Sequence, residues 1–198
     1  MKKPLWIWII SLALIAGLSP PRPARAQTPT AYVRDILTQV MALQNDPAQS
    51  NQARSQAIHK IIERNFDFAL MAKDSLGSAH ERLSGAQRQA FTQTFSYLFQ
   101  DSYARLVLNF LKKENIQYGR ELPQGDKARV DTAIVRTNEN IPVTYLMHTA
   151  PQGWILYDVI VDGVSILQNY KTQFAQVIRT KSFEFLLNKM AEQRRAIQ

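Results

Sequence analysis

Apolar and polar residues follow a helical period over the first half of the chain and a strand period in the region after it. Residues 31–44, and a segment that opens at Asp46, each repeat apolar residues every three or four positions, which predicts two amphipathic helices. Asp46 and Pro47 are the predicted N-cap and first-turn residues of the second helix. Residues 65–75 predict a short third helix with Asp67 as its N-cap. The first half of the chain is therefore expected to be helical.

The longest predicted element begins at Ser84. Ser84 and Gln87 have the spacing of a capping box, and neither Gly nor Pro interrupts the chain from Ala86 to Tyr118. This pattern predicts a helix that continues to about Lys113. One stripe of this helix is rich in large apolar side chains: Phe91, Phe95, Leu98, Phe99, Tyr103, Leu106 and Phe110.

A strand-rich region follows this helix. Its β-branched and aromatic segments predict four strands, at residues 116–121, 128–137, 143–150 and 154–161. Short polar connections between them favour hairpins, and residues 165–180 and 182–195 predict two closing helices. The expected fold class is α+β, in which a four-stranded twisted antiparallel sheet packs with helices into a cone-like shape. Both faces of the last strand are mostly apolar, which is expected of a strand covered on both sides.

The first 26 residues have the features of an export signal. Lys2 and Lys3 precede an apolar stretch over 5–18, and a small-x-small site ends at Ala26. The stretch is shorter than the roughly 20 residues that a membrane-spanning helix needs. We expect residues 1–26 to be cleaved and residues 27–198 to form a single domain in the cell envelope.

Charge and cysteine content narrow the functional classes. The formal net charge of +8 falls to +4 when the four cations of the predicted leader are removed. This balance fits weak attraction to anionic membranes or acidic proteins, and an exported protein rarely meets nucleic acid. The chain contains no Cys, which excludes thiol nucleophiles and thiolate metal sites.

No catalytic constellation is evident. The three His residues fall on different predicted elements, without the spacing of metal ligands. Asp158 and Asp162 are the best candidates for an acid and a base, but such residues more often bond nearby backbone groups. We therefore expect no enzymatic activity, no metal and no cofactor.

Apolar bulk is the more distinctive feature of the composition. Nine Phe and seven Tyr follow the predicted leader. They either fill one solid core or leave an apolar cavity between the long helix and the sheet. Periodicity does not distinguish these two arrangements.

Two motifs resemble the MlaC family, also described as toluene-tolerance proteins or auxiliary transport components. The first reads N-F-D-F-x-x-M over 65–71. The second reads W-x-x-Y-D-V-x-x-D-G-V-S over 154–165 and continues as N-Y-K-x-Q-F over 169–174. The order and distance of the motifs make the resemblance specific, and it covers about residues 30–190.

The resemblance implies a periplasmic phospholipid-binding protein that carries lipid between the two membranes of a Gram-negative envelope and maintains the lipid asymmetry of the outer membrane. The implied partners are phospholipid as cargo, an inner-membrane ABC transporter complex with a membrane-anchored lipid-binding subunit, and an outer-membrane lipoprotein complex. Direction of transport does not follow from the sequence.

Pattern and resemblance together select candidate site residues. Those expected to line a lipid pocket are Phe68, Met71, Phe91, Phe95, Leu98, Leu106, Val143, Tyr145, Tyr157, Val159 and Phe174. Candidate contacts at the mouth or with the headgroup are Tyr103, Arg105 and Lys171. The alternatives are a carrier of another lipid such as a hopanoid, a cone-fold enzyme acting on a small apolar substrate, and an assembly protein with a solid core.

Overall fold

The computed structural model describes residues 27–111 and 113–197, and the predicted leader lies outside them. These residues form seven α-helices and five β-strands. The helices are α1 (Pro29–Asn45), α2 (Asn51–Asn65), α3 (Phe68–Leu76), α4 (Ser78–Glu81), α5 (Gly85–Phe110), α6 (Ile166–Thr180) and α7 (Phe183–Ile197). The strands are β1 (Asn115–Gln124), β2 (Lys127–Val135), β3 (Asn140–Ala150), β4 (Gly153–Val161) and β5 (Val164–Ser165).

The strands form one antiparallel sheet in chain order, from β1 to β5. The expected α+β class and meander are confirmed, whereas the expected count of four strands is wrong. Asp162 and Gly163, with φ of 48° and 78°, reverse the chain so that Val164 pairs with Val161. The fifth strand, β5, has only two residues, which is too short to produce an alternation of apolar and polar positions. It was therefore not predicted from the sequence.

The edge of β4 is covered at two places. One part pairs with β5, and another receives Phe66 in a parallel bridge to Leu156. The amide of Asp67 donates to the carbonyl of Leu156 at 2.8 Å. Covering this edge satisfies backbone groups that would otherwise be open to pairing with another chain.

Local capping sets where the helices begin. Ser84 and Gln87 form both bonds of a capping box at the start of α5, as predicted. The prediction that Asp46 caps the second helix is wrong, because Ser50 is the N-cap of α2. Asp46 ends α1 instead, and its side chain accepts from the amide of Ala48 at 2.9 Å.

The long helix α5 has 26 residues, which corresponds to about 39 Å at 1.5 Å per residue. It ends at Phe110 rather than near Lys113. The short helix α4 was not predicted, since a single turn carries no periodic signal. Within the described residues, no helix is both long and apolar enough to cross a bilayer.

Helices and sheet share one contiguous apolar core. The sheet face that carries Val130, Val143, Tyr145 and Val159 is buried, and α5 lies across it. The opposite face carries a polar cluster in which Arg129 donates to Asp131 at 2.7 Å. The helices therefore enclose one face of the sheet, and the candidate site lies between that face and α5.

Candidate functional site

The N-terminal half of α5 packs as solid core. Phe91 and Phe95 have no exposed surface, and their rings stack with centroids 6.0 Å apart and planes 13° apart. Phe174 of α6 meets Phe91 edge-on at 5.7 Å. Leu98 is equally buried. These four predicted lining residues lie in close apolar contact and are not among the walls of the cavities described below.

The third-helix candidates lie beside this cluster. Phe68 is half-buried, with its ring 6.2 Å from that of Phe66 and 5.8 Å from that of Phe99. Met71 is fully buried. Both side chains thus support α5 from the side opposite its solvent-exposed face.

The C-terminal half of α5 is packed less tightly against the sheet and leaves an apolar space, here called the sheet-side cavity. Its volume is about 40 Å³. From α5 and the residue after it come Tyr103, Leu106, Val107, Phe110 and Leu111. From β2, β3 and β4 come Ile134, Ile141, Val143, Tyr145, Val159 and Val161. A water molecule needs only about 10–15 Å³ on this scale, so the space accepts a few small groups and no long chain without widening.

A second space, the helix-side cavity, lies between α5, α6 and α7. Its volume is about 260 Å³. Apolar and aromatic side chains form its floor: Phe99, Tyr103, Leu106, Ile166 and Tyr170. Neutral polar side chains form its rim: Ser102, Asn169, Gln173 and Gln193. The three rim amides are exposed to solvent, so this cavity opens to the surface.

Tyr103 and Leu106 line both cavities and separate them. Tyr103 also lines a small enclosed space of about 20 Å³ between α5 and the first two helices. The Tyr103 ring is held by Phe66 at 5.3 Å and by Phe99 at 5.5 Å. The Tyr103 side chain therefore lies where these three described spaces meet.

The electrostatic environment of this region is apolar. Desolvation by burial raises the pKa of Tyr103 above its ordinary range, and the same cause raises the pKa of Tyr145 well above its ordinary value. Burial also raises the pKa of Tyr170, partly offset by a hydrogen bond with Ser102. A phenol disfavours ionisation where water is excluded, so these shifts agree with walls that suit hydrocarbon.

A β-bulge changes which side chains of β4 face α5. Leu146 pairs with Asp158 while Met147 pairs with Leu156, so Tyr157 is the extra residue. Leu156 and Val159 both point to the core as a result. Tyr157 instead lies 6.0 Å from the His148 ring, and is therefore placed away from both cavities.

The candidate cations lie apart from the cavities. Arg105 is exposed and lines a solvent-open polar groove between α2 and α5. Lys171 is exposed on α6, with its stem close to Gly77 at the end of α3. Of the three residues predicted at the mouth, Tyr103 alone lines the sheet-side and helix-side cavities.

Arg136 contacts Phe110, one of the residues that line the sheet-side cavity. Its Nη2 donates to the carbonyl of Phe110 at 3.0 Å and lies 3.3 Å from Oε1 of Glu114. Its Nη1 lies 3.7 Å from Glu139, and its guanidinium faces the Phe110 ring at 5.5 Å. The arginine thus ties the end of α5 to the β2–β3 hairpin.

Sequence reasoning missed several wall residues. Val107 and Leu111 follow Tyr103 at four-residue intervals on α5, which is the signal that would have included them. Ile134, Ile141 and Val161 lie at alternating apolar positions of the strands, which also marks them as inward-facing. The role of Arg136 had no sequence signal, because it depends on three distant segments meeting.

The Asp158 carboxylate accepts hydrogen bonds from nearby groups, chiefly of the backbone. It accepts from the amides of Val159 and Leu167 at 2.8 and 3.0 Å, and from the hydroxyl of Ser165. Desolvation raises the pKa of Asp158, although these hydrogen bonds act in the opposite direction. Asp162 is exposed in the β4–β5 turn. Asp158 therefore fixes the start of α6, and the two carboxyl groups do not form an acid–base site in a pocket.

The described part of the chain contains two His–Asp contacts, and neither borders the apolar cavities. His148 Nε2 lies 2.9 Å from Asp67 Oδ2 at the start of α3. His59 Nε2 lies 2.9 Å from Asp101 Oδ1, in the polar groove between α2 and α5. Across residues 27–111 and 113–197, no three His, Asp or Glu side chains converge in a way that would hold a metal ion.

The fold is that of a known class of lipid-binding protein. The chain superposes on the structure of the phospholipid-binding protein of Ralstonia solanacearum, which was determined in complex with a phospholipid, with a TM-score of 0.75. The alignment covers 86% of this chain and 98% of that one at 22% sequence identity. At that identity the likeness establishes the fold.

Sequence comparison identifies the family. The chain is 24% identical, over 203 residues, to the intermembrane phospholipid transport system binding protein MlaC of Haemophilus influenzae, covering 94% of this chain and 92% of that protein. The MlaC protein family model matches residues 31–192. The chain belongs to the MlaC family, which confirms the resemblance of its two motifs.

Proposed function

We propose that this protein is a periplasmic phospholipid carrier that moves lipid between the two membranes of the envelope and so maintains outer-membrane lipid asymmetry. The observation that carries the proposal is the apolar sheet-side cavity, whose eleven lining side chains are hydrocarbon or aromatic. Membership of the MlaC family and the phospholipid-bound relative in Ralstonia support it. Mature protein from about Gln27 onward would form the single carrier domain.

The free energy of burying acyl chains explains why a lipid carrier needs a cavity with an apolar lining. Each CH₂ moved out of water is worth about 0.8 kcal/mol, so a 16-carbon chain represents on the order of 12 kcal/mol. A carrier that crosses an aqueous gap must therefore bury the acyl chains almost completely. The headgroup is already hydrated and needs few anchors, which agrees with the neutral polar rim of the helix-side cavity.

The proposed wall combines predicted and newly recognised residues. Leu106, Val143, Tyr145 and Val159 were predicted and lie at the sheet-side cavity, where Tyr103 joins them. The cavity must widen to hold an acyl chain. The buried candidates of the surrounding layer would contact the chains only in the widened state: Phe68, Met71, Phe91, Phe95, Leu98 and Phe174.

The proposal extends to partners. The MlaC relative is named as part of an intermembrane phospholipid transport system. We expect docking to an inner-membrane ABC transporter complex, through its membrane-anchored lipid-binding subunit, and to an outer-membrane lipoprotein complex. Arg105 and Lys171 are exposed and remain candidates for contacts with a headgroup or a partner.

Native mass spectrometry of the purified protein, followed by organic extraction and lipid identification, tests the proposal. We expect a stoichiometric phospholipid adduct with a spread of headgroups. A hopanoid or another apolar lipid would keep the carrier and change its cargo. Protein that is empty, and stays empty after incubation with phospholipid vesicles, would contradict the proposal and favour the enzyme or assembly alternatives.

A further inference from the structure

The two ends of the cavity system differ in the contacts that surround them. At the sheet-side end, Arg136 ties the carbonyl and ring of Phe110 to Glu114 and Glu139. At the helix-side end, the rim consists of exposed neutral side chains, and Gln173 donates to Asn169 at 3.1 Å across one turn of the same helix. Separating α5 from the sheet at the Arg136 end would break the contacts of Arg136 with Phe110, Glu114 and Glu139. The helix-side cavity is already open to solvent.

The two cavities also differ in polarity in a way that matches a lipid. The helix-side cavity has a polar rim and an apolar floor, and the sheet-side cavity is apolar throughout. A headgroup suits the first environment and an acyl chain the second. Tyr103 and Leu106 are one turn apart on α5 and form the partition between them.

We propose that the helix-side cavity is the entrance and headgroup chamber, and that Tyr103 and Leu106 form a gate through which acyl chains pass into the sheet-side cavity. This inference rests on the proposed function and assigns roles within it. Moving two side chains to other rotamers joins the two spaces without breaking the Arg136 tie. The lipid therefore enters between α5, α6 and α7.

The chemistry of the rim sets the headgroup preference. All nine side chains that line the helix-side cavity are neutral. Amide N–H groups of Asn169, Gln173 and Gln193 donate to phosphate oxygens whatever the rest of the headgroup carries. Uptake is therefore expected to depend little on headgroup charge and on ionic strength, unlike binding by a cationic site.

The Cys-free chain allows a direct test with single cysteines. Gln173→Cys, at the proposed entrance, is compared with Asn138→Cys, in the hairpin turn beside Arg136, each before and after attachment of a bulky maleimide. Delipidated protein is incubated with vesicles of phosphatidylcholine or of phosphatidylglycerol, and phospholipid uptake is followed by native mass spectrometry. We expect labelled Gln173→Cys to lose uptake from both vesicles and labelled Asn138→Cys to keep the unlabelled rate. Blockage by the label at 138 alone, or at neither position, would overturn the proposed entrance.

A second measurement separates the entrance from the carrier function. Ser102→Cys should react with a small maleimide more slowly in lipid-loaded protein than in delipidated protein, because the headgroup covers it. Equal rates in the two states would overturn the headgroup chamber while leaving a carrier whose phospholipid adduct is still observed. A wild-type protein without any adduct would instead contradict the proposed function itself.

Discussion

Arg194 of α7 donates from Nε to Asp101 Oδ2 of α5 at 2.7 Å, and this contact fastens the C-terminal helix beside the helix-side cavity. Asp101 also lies 2.9 Å from His59 of α2, and its side chain is only 12% exposed. The Arg194 guanidinium faces the Tyr97 ring at 4.5 Å. One carboxylate thus connects three helices.

Removing the Asp101 carboxylate should destabilise the protein more than removing either of its two partners, Arg194 or His59. We expect Asp101→Ala to lower the free energy of unfolding by about 2–3 kcal/mol, because the Arg194 guanidinium and the His59 ring both lose their hydrogen-bond acceptor. Urea unfolding measures this change. Arg195, which follows Arg194 and is exposed, provides the control. The free energy of unfolding of Arg195→Ala should stay within about 0.5 kcal/mol of the wild-type value. Equal effects at the two positions would contradict a central role for Asp101.

Substitutions along α5 should separate the cavity from the solid core. Leu106 is half-buried and lines both cavities, so Leu106→Asp should fold and lose retained lipid. Phe95 has no exposed surface and packs among rings, so Phe95→Asp should unfold the protein, as a buried unpaired charge costs several kcal/mol. Circular dichroism measures whether each variant folds, and native mass spectrometry measures whether it retains lipid. Asn109→Asp, on the exposed side of the same helix, is the matched control and should keep both fold and lipid.

The contributions of Asp158 and Asp131 to the free energy of unfolding should depend on pH in opposite directions. Desolvation raises the pKa of Asp158, so the folded carboxyl keeps its proton to higher pH than the unfolded one. Its contribution is present below about pH 4 and is lost as the pH rises through the raised pKa. Desolvation also tends to raise the pKa of Asp131. This effect is outweighed by hydrogen bonds from Arg129 and Thr144 and by the positive charges of Arg129 and Arg120, so that the pKa of Asp131 is lowered. That contribution is present above about pH 4 and is lost as the pH falls through the lowered pKa.

Urea unfolding from about pH 3 to about pH 7 checks these signs. Relative to wild type, Asp158→Asn should lack the loss of stability on the alkaline side of pH 4, and Asp131→Asn should lack the loss on the acid side. The same slope in wild type and both variants would show that neither carboxyl has a shifted pKa.

The capping box of α5 should contribute measurably to stability. The hydroxyl of Ser84 accepts from the amide of Gln87 at 3.2 Å, and the Gln87 side chain accepts from the amide of Ser84 at 2.9 Å. Ser84→Ala should reduce the free energy of unfolding by about 1 kcal/mol, as is usual for an N-cap. Ser84→Asp restores an acceptor and should recover most of that loss. No recovery would assign the effect to something other than capping.

Lys171 should affect exchange more than stability. Because it is exposed, Lys171→Glu is expected to change the free energy of unfolding by no more than about 0.5 kcal/mol. We expect slower lipid transfer or weaker partner docking, measured by transfer from loaded protein to acceptor vesicles or to the partner complex. Arg179→Glu makes the same charge change on the same helix and is the comparison. Identical transfer rates for wild type and Lys171→Glu would assign Lys171 to the ordinary solvated surface.

Local sequence signals determined much of the architecture. The capping box at Ser84, the N-cap at Asp67 and the alternating strands all appear where predicted, because they depend on hydrogen bonds and periodicities within a few residues. The two motifs determined the family for the same reason: their residues are read in order along the chain. At Asp46, by contrast, two local signals competed, and Ser50 supplied the cap.

Tertiary structure decided where the interior is solid and where it is hollow. Phe95 and Leu106 belong to the same predicted stripe, yet Phe95 is enclosed by rings of α5 and α6 while Leu106 lies between two cavities. The bulge at Tyr157 likewise turned a predicted wall residue away from α5. Periodicity gives the direction in which a side chain points. What it meets there depends on the distance between elements far apart in sequence, and that distance is set by the packing of the whole chain.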